Sequence, residues 1–405
     1  MLITMSWRNI WRNKVRSLVV ILAIAIGLIG GIFIAGLTNG IVAQQTENTI
    51  NNEISEVQIH NPKFLDNMTP KFLIEDVDIK VASIKKLANV TEVCYRTKAT
   101  AMASTAATGA GVTLNGIIPQ NEKLVTDIHT KLVEGHYFEK ESKTAQIVIG
   151  QKLAHKLKAK LGNKIVMTVQ SLGGEMTYAL FRVAGIYKTN NSGFDELNVF
   201  VRSSNLNPTL GMEANQTNEI AIRTTNLDAA FAVVDNLKPE FPELSVQSWR
   251  EIKPSLILMM TMMDQFSYWL LIIILFALIF GIINTMLMVI MERKRELGML
   301  MAVGMNKKRV FRMILIETTL LSLTGGLVGL IISYVMVSIL GNTGINFASW
   351  AEGMEAMGYS AFVYPVISNE FYVVVTILVI LTAVIASIWP TRKALKLNPA
   401  DAIRE

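Results

Sequence analysis

The chain has 405 residues, 51% of them hydrophobic and 17% charged, with a formal net charge of +6 and a mean hydropathy of +0.39. Length alone allows two or three soluble domains, but the apolar residues gather in blocks long enough to cross a bilayer, which takes roughly 20 residues, and this excludes an ordinary soluble protein. The basic excess lies beside those blocks, at Arg8, Arg12, Lys14, Arg16, Arg293 to Arg295, Lys307 to Arg309, Arg392, Lys393 and Lys396, as the positive-inside rule requires, so nucleic acid is not expected as a partner.

The first apolar block, "SLVVILAIAIGLIGGIFIAGL", spans residues 17–37. It is longer than the roughly 7–15 apolar residues of a signal peptide and lacks an A-x-A site, so an uncleaved anchor is expected. The region that follows alternates between strand and helix patterns. "EISEVQIH", "DIKVASIKKLANV" and "TEVCYRTKA" read as strand, amphipathic helix and strand. "NEIAIR", "NLDAAFAVVDNLK" and "ELSVQSW" repeat that order before residue 250. Two such units around an insert predict a split βαβ arrangement. The insert is strand-rich, with "GVTLNGI", "AQIVIG", "NKIVMTVQ", "YALFRVAGIYK" and "ELNVFV". One helix, "QKLAHKLKAKLG", is predicted to end at Gly162.

The second apolar block opens at Pro254, which suits a first helical turn, and runs to Met291. Such a helix would be about 55 Å long, against a hydrocarbon core of about 30 Å, so part of it is expected to stand outside the membrane as a stalk. Residues 313–340 and 371–389 read as the third and fourth spans. The segment 341–370 between them holds Glu352, Glu355 and Glu370 but no Lys or Arg. This charge pattern places both termini in the cytoplasm and residues 41–253 outside it. Small residues recur four apart at Gly27, Gly31 and Ala35, at Gly281 and Thr285, and at Gly325 and Gly329. They read either as close helix contacts or as the ordinary glycine content of membrane helices.

Catalytic chemistry is not indicated. The single cysteine, Cys94, rules out an intramolecular disulfide, and His60, His129, His136 and His155 show no ligand spacing. "GAGVTLNG" lacks the spacing of a dinucleotide fingerprint, and no H-E-x-x-H or G-x-S-x-G occurs.

Between spans two and three the chain reads "MERKRELGMLMAVGMNKKRV". Its consecutive basic residues keep it out of the bilayer, where each would cost roughly 2.5–3.5 kcal/mol. Leu297, Leu300 and Met301 share one helical face. On residue chemistry the segment is either a topology-setting loop or a docking helix.

The segment resembles the signature of FtsX-like permeases of ATP-binding cassette (ABC) transporters. Glu292, Arg293, Arg295, Glu296, Gly298, Leu300, Ala302 and Gly304 fall on that pattern, with Leu297 in place of its Ile. "SWRNIWRNKVRSL", "LVEGHYFEKESKTAQIVIGQKLAHKL", "FRVAGIY" and "WPTRKALKLNPADAIRE" are similar to further motifs of the family, in order along the chain. "SEVQIHNPKF" and "SWREIKPSL" resemble lipoprotein-releasing permeases more than the macrolide-exporter type.

The resemblance implies a coupling helix seated in a groove on a partner ATPase. Glu292, Arg293, Arg295 and Glu296 would make its polar contacts, and Leu297, Leu300 and Met301 would fill the groove. Gly298 and Gly304 would permit close approach and the turn into span three. Trp7, Arg8, Trp11 and Arg12 would form an interfacial helix, while Glu317 and Asn284 are polar positions within the membrane. Glu317 is expected to pair with Arg293 or Arg312, and Asn284 to bond between helices.

The implied fold class is membrane α-helical, four transmembrane helices, plus an α+β extracytoplasmic domain inserted between helices one and two. Its divisions are the interfacial helix 1–16, transmembrane helix 1 at 17–40, the outer domain 41–253, the stalk and transmembrane helix 2 at 254–291, the coupling helix 292–311, transmembrane helix 3 at 312–340, an external loop 341–369, transmembrane helix 4 at 370–390, and a cytoplasmic tail 391–405.

The sequence contains no G-x-x-x-x-G-K-[ST], so ATP and Mg are expected on a separate ABC ATPase dimer and no cofactor in this chain. The other partners implied are a second permease, identical or homologous, an acylated or otherwise amphiphilic substrate, and a periplasmic carrier or membrane-fusion protein. The implied location is the inner membrane, and the function is ATP-driven release or translocation of lipoproteins. The alternatives are a signalling module that activates a cell-wall hydrolase, and an export permease.

Overall fold

The computed structural model describes residues 2–138 and 144–395; Lys396 and the rest of the closing motif lie outside them. The chain forms two compact units. One contains the described residues up to Ala43, Met259–Asn346 and those from Phe362 onward, and the other contains Gln44–Leu258 and Phe347–Ala361.

Helix α1 (Leu2–Arg12) is amphipathic. Ile10 and Ser6 are buried, and Ser6 Oγ donates to the Met313 carbonyl at 3.3 Å. Helix α2 (Lys14–Thr49) runs 36 residues, about 54 Å, and continues as one π-helical turn, Ile50–Ile54.

The inserted domain follows. Its strands are β1 (Val57–His60), β2 (Val90–Ser104), β3 (Gly109–Ile117), β4 (Leu132–Gly135), β5 (Gln146–Gly150), β6 (Lys164–Gln170), β7 (Met176–Tyr187), β8 (Asn198–Arg202), β9 (Glu219–Thr224) and β10 (Ser245–Ser248). Its helices are α3 (Phe64–Asn67), α4 (Val77–Ile84), α5 (Pro119–Val125), α6 (Gln151–Lys156), α7 (Ser192–Leu197), α8 (Ser203–Leu210), α9 (Ala229–Glu240) and α10 (Trp249–Ile252).

Strands β10, β1, β9 and β2 lie side by side in that order, all antiparallel to their neighbours. The two expected βαβ units, β1–α4–β2 and β9–α9–β10, therefore interleave as a split βαβ sheet. Beyond Arg96, β2 leaves this sheet and pairs with β3 and β6. Because β6 bonds both β2 and β7, strands β2, β3, β8, β5, β7 and β6 close into a ring of six. A barrel this narrow needs small inward side chains. Strand β2 supplies Ala99, Ala101 and Ala103, all buried with Ile147, Ile165 and Phe181.

A buried ionic cluster joins the sheet to α5. Arg96 bonds Glu122 at 2.9 Å and Glu219 at 2.8 Å, and His60 Nε2 lies 3.0 Å from Glu219. Burial alone would push the Glu219 carboxyl up, but Lys98, the His60 hydrogen bond and Arg96 together hold it far below the usual carboxylate range. A slipped register would strand these charges without partners.

The predicted helix ending at Gly162 is shorter than expected. Helix α6 stops at Lys156, and Lys158 adopts a left-handed φ of 51°, which ends helical geometry before Gly162.

Helices α11 (Pro254–Glu292), α12 (Lys294–Ala302), α13 (Lys307–Thr343), α14 (Ala351–Ala356) and α15 (Asn369–Leu395) complete the chain, with a two-stranded ladder of β11 (Ile345–Asn346) and β12 (Phe362–Val363). Helices α2, α11, α13 and α15 are each long and apolar enough to cross a membrane. At 39 residues α11 is about 58 Å long, roughly twice the hydrocarbon thickness. Glycines set the helix contacts. A Cβ on Gly325 would meet the Ile21 carbonyl at 3.1 Å, and one on Gly31 would meet Ile274 at 2.8 Å. These small residues therefore mark close approach. Gly281 faces open space.

Candidate functional site

Helix α12 is nine residues long and sits between two membrane-spanning helices. Arg293 breaks the chain from α11 (φ −95°, ψ 15°), and Gly304 (φ 101°) ends the turn that follows Ala302. A side chain at that φ would be strained, so Gly304 serves the turn. Asn306 then caps α13 by accepting from the Lys308 amide at 3.0 Å.

Arg293 is the centre of an ionic chain. Its Nε donates to Glu296 at 3.1 Å, and its Nη1 donates to both oxygens of Glu317 at 3.0 and 3.1 Å. Arg12 on α1 pairs with the other oxygen of Glu296. The hydrogen bond from Arg12, aided by Arg293, holds the Glu296 carboxyl below its ordinary value. Residues from α1, α12 and α13 are thereby linked through charge-assisted bonds, which are stronger than neutral ones. Glu317 is almost fully buried and takes Arg293 rather than Arg312 as its partner. A cavity of about 270 Å³ opens beside this chain, lined by Asn9, Asn13, Thr285 and Glu292 among others.

The apolar stripe departs from expectation. Leu297 is 2% exposed, Gly298 is buried, and Leu300 and Met301 pack partly buried against the same apolar cluster as Val310 and Met313. The resemblance assigns Leu297, Leu300 and Met301 to a partner's groove, whereas here they face the chain's own bundle. The chain's own bundle offers the nearest apolar surface, and burial there removes them from water. The outward face of α12 is Arg295, Met299 and Ala302, continued by Val303 and Gly304 in the turn. Met299 is 57% exposed and Val303 85%. Residues 295, 299, 302 and 303 share one helical face, and Met299 and Val303 are exposed positions that the signature does not single out.

Trp7 and Trp11 are both exposed on α1, with rings 5.9 Å apart and edge-on. Arg8 and Arg12 are exposed beside them, so α1 presents aromatic and basic groups together. Asn284 does not bond between helices of this chain. It lies exposed on α11, and among the described residues its side chain makes no hydrogen bond.

Two family models match the chain. That of the MacB-like periplasmic core domain covers residues 17–240, and that of the FtsX-like permease C-terminal region covers residues 268–399. An ABC transporter permease of Methanocaldococcus jannaschii is 25% identical over 427 aligned positions, covering 100% of this chain and 97% of the relative. The macrolide export ATP-binding/permease protein MacB of Rhodopirellula baltica is 32% identical over 124 residues, 31% of this chain and 16% of that protein. The crystal structure of the periplasmic region of MacB from Actinobacillus actinomycetemcomitans aligns with a TM-score of 0.35 and 16% identity, over 52% of this chain and 97% of that one.

Proposed function

This chain belongs to the ABC transporter permeases that carry a MacB-like periplasmic core domain and an FtsX-like C-terminal region, and from that premise we propose that it converts ATP hydrolysis on a separate ATPase subunit into work outside the cytoplasm. In this reading the chain lies in the inner membrane with both termini in the cytoplasm. The observation that carries it is α12, whose outward face of Arg295, Met299, Ala302 and Val303 is apolar at its centre and basic at its edge. Such a face fits a groove on another protein. Its inward face is anchored by Leu297, and its carboxylate Glu296 is held by Arg12 and Arg293. A displacement of α12 would therefore reach α1 through Arg12 and α13 through the Arg293–Glu317 pair.

The substrate class proposed is amphiphilic, with lipoproteins released from the inner membrane as its first member. The permease would act with a second copy or a homologous chain. The second reading, export together with a membrane-fusion protein, rests on the similarity of residues in this chain to a protein named for macrolide export. Co-expression with a neighbouring ATP-binding cassette subunit tests the coupling role. Met299→Asp is expected to abolish co-purification of the ATPase while the permease still inserts in the membrane. Retained association with full substrate release would overturn the assignment. Lipoprotein release from spheroplasts, compared with efflux of a macrolide, separates the two substrate readings.

A further inference from the structure

The barrel carries a surface that neither the coupling role nor the fold requires. On an antiparallel wall of a barrel in water, such as β2–β6–β7, inward positions are apolar and outward positions polar. Strands β6 and β7 break this rule. Their outward positions include Val166 directly opposite Leu180, and Tyr178 opposite Thr168, which in turn faces Met102 on β2. All the apolar members are exposed, Tyr178 by 70%. Met176 extends the row toward the β6–β7 turn. A contiguous apolar patch on a solvent-facing sheet marks an interaction site.

The patch ends in uncompensated positive charge. Lys164 stands directly opposite Arg182 across the β6–β7 ladder, both exposed. Like charges in that arrangement destabilise a sheet. Lys158 and Lys160, in the preceding segment, are exposed as well. Among the described residues none of these four cations forms an ion pair. The sequence "KLAHKLKAKLGNK" from 152 to 164 contains no acidic residue.

We propose that this face of the barrel docks an extracytoplasmic protein whose contact surface is apolar at its centre and acidic at one edge. The inference rests on the reading that the domain lies outside the cytoplasm. A bilayer fits less well. Thr168, Ser104 and Gln170 share the same outward face, and hydrocarbon would leave their polar groups unbonded, whereas a protein surface can bond them. A second copy of this chain would bring the same excess of cations to the contact.

The test is photocrosslinking in cells with the full chain and its ATPase, carrying Tyr178→p-benzoyl-phenylalanine, with Glu213→p-benzoyl-phenylalanine as an exposed control. The expected result is an adduct at position 178 and none at 213, with another protein whose crosslinked peptide is net acidic. Lys164→Glu/Arg182→Glu is expected to lower its yield at least tenfold, and Lys160→Glu to lower it less. Trypsin resistance of the domain checks folding, and the single variant keeps the test decisive if the double variant fails. An adduct of the chain with itself, an adduct with lipid, no adduct, or a yield indifferent to charge reversal would overturn the proposal. ATPase co-purification from the same cells separates the outcomes: its loss with the acidic adduct retained removes the coupling role and leaves the docking face standing.

Discussion

Arg293 holds both oxygens of Glu317, at 3.0 and 3.1 Å, from the last residue before helix α12. The carboxylate is nearly buried and the guanidinium is mostly so, so neither is well solvated alone. Removing one partner of such a pair leaves an uncompensated charge, at a cost of about 3 kcal/mol. Arg293→Ala should therefore lower stability by about that amount in detergent unfolding, and Arg293→Ala/Glu317→Gln should recover most of it. A double variant whose loss equals the sum of the Arg293→Ala and Glu317→Gln losses would show that the pair carries no coupling energy.

The two faces of α12 should separate under mutation. Leu297→Asp places a charge in the apolar core of the helix bundle and is expected to reduce the amount of folded protein. Val303→Asp changes an exposed position and should leave expression and thermal unfolding within about 0.5 kcal/mol of wild type while ATPase stimulation by substrate disappears. Fluorescence size-exclusion profiles together with ATPase rates decide this.

Gly40 and Gly30 make a matched pair on α2. A Cβ at Gly40 would lie 2.2 Å from the Tyr364 carbonyl oxygen, whereas one at Gly30 meets nothing within 4 Å. Gly40→Ala should destabilise by about 2 kcal/mol through overpacking. Gly30→Ala should be neutral or stabilising by up to about 1 kcal/mol. Thermal unfolding of both variants in one detergent gives the comparison.

The domain should soften as pH rises through neutrality. Asp195 accepts from the Thr189 amide and hydroxyl, but burial outweighs those bonds and raises its carboxyl from 3.8 to about 7. Neighbouring Lys188 lowers it and Glu355 raises it, and these two form an ion pair with each other. With the folded value above the unfolded one, the stabilisation is complete below pH 3.8 and is lost as pH rises through about 7. The unfolding temperature should fall by several degrees between pH 5 and pH 8, and Asp195→Asn should flatten that slope.

Much of the architecture is legible in the sequence because periodicity reports burial. The strand runs from "EISEVQIH" to "ELSVQSW" alternate, and the four long helices are unbroken apolar blocks. Closure of the barrel is not legible, since it depends on β6 meeting β2 some sixty positions away, a pairing that no local pattern encodes. Helices α5, α7 and α8 are also too short to show a period. At the candidate site the charges are readable and their pairing only partly so. Helix α12 has two apolar stripes, one through Leu297, Leu300 and Met301 and one through Met299, Ala302 and Val303. Sequence cannot say which of them the bundle keeps, because both satisfy the same spacing.

Strand β2 belongs to two structures at once. Its fifteen residues, about 50 Å of extended chain, give their first part to the open sheet beside β9 and their last part to the barrel beside β3 and β6. No hinge can form between sheet and barrel without tearing ladder bonds on a shared strand. The sheet and the barrel of the inserted domain are therefore one stiff piece. A torque applied at the β10 edge would reach the far wall of the barrel with little lost to bending.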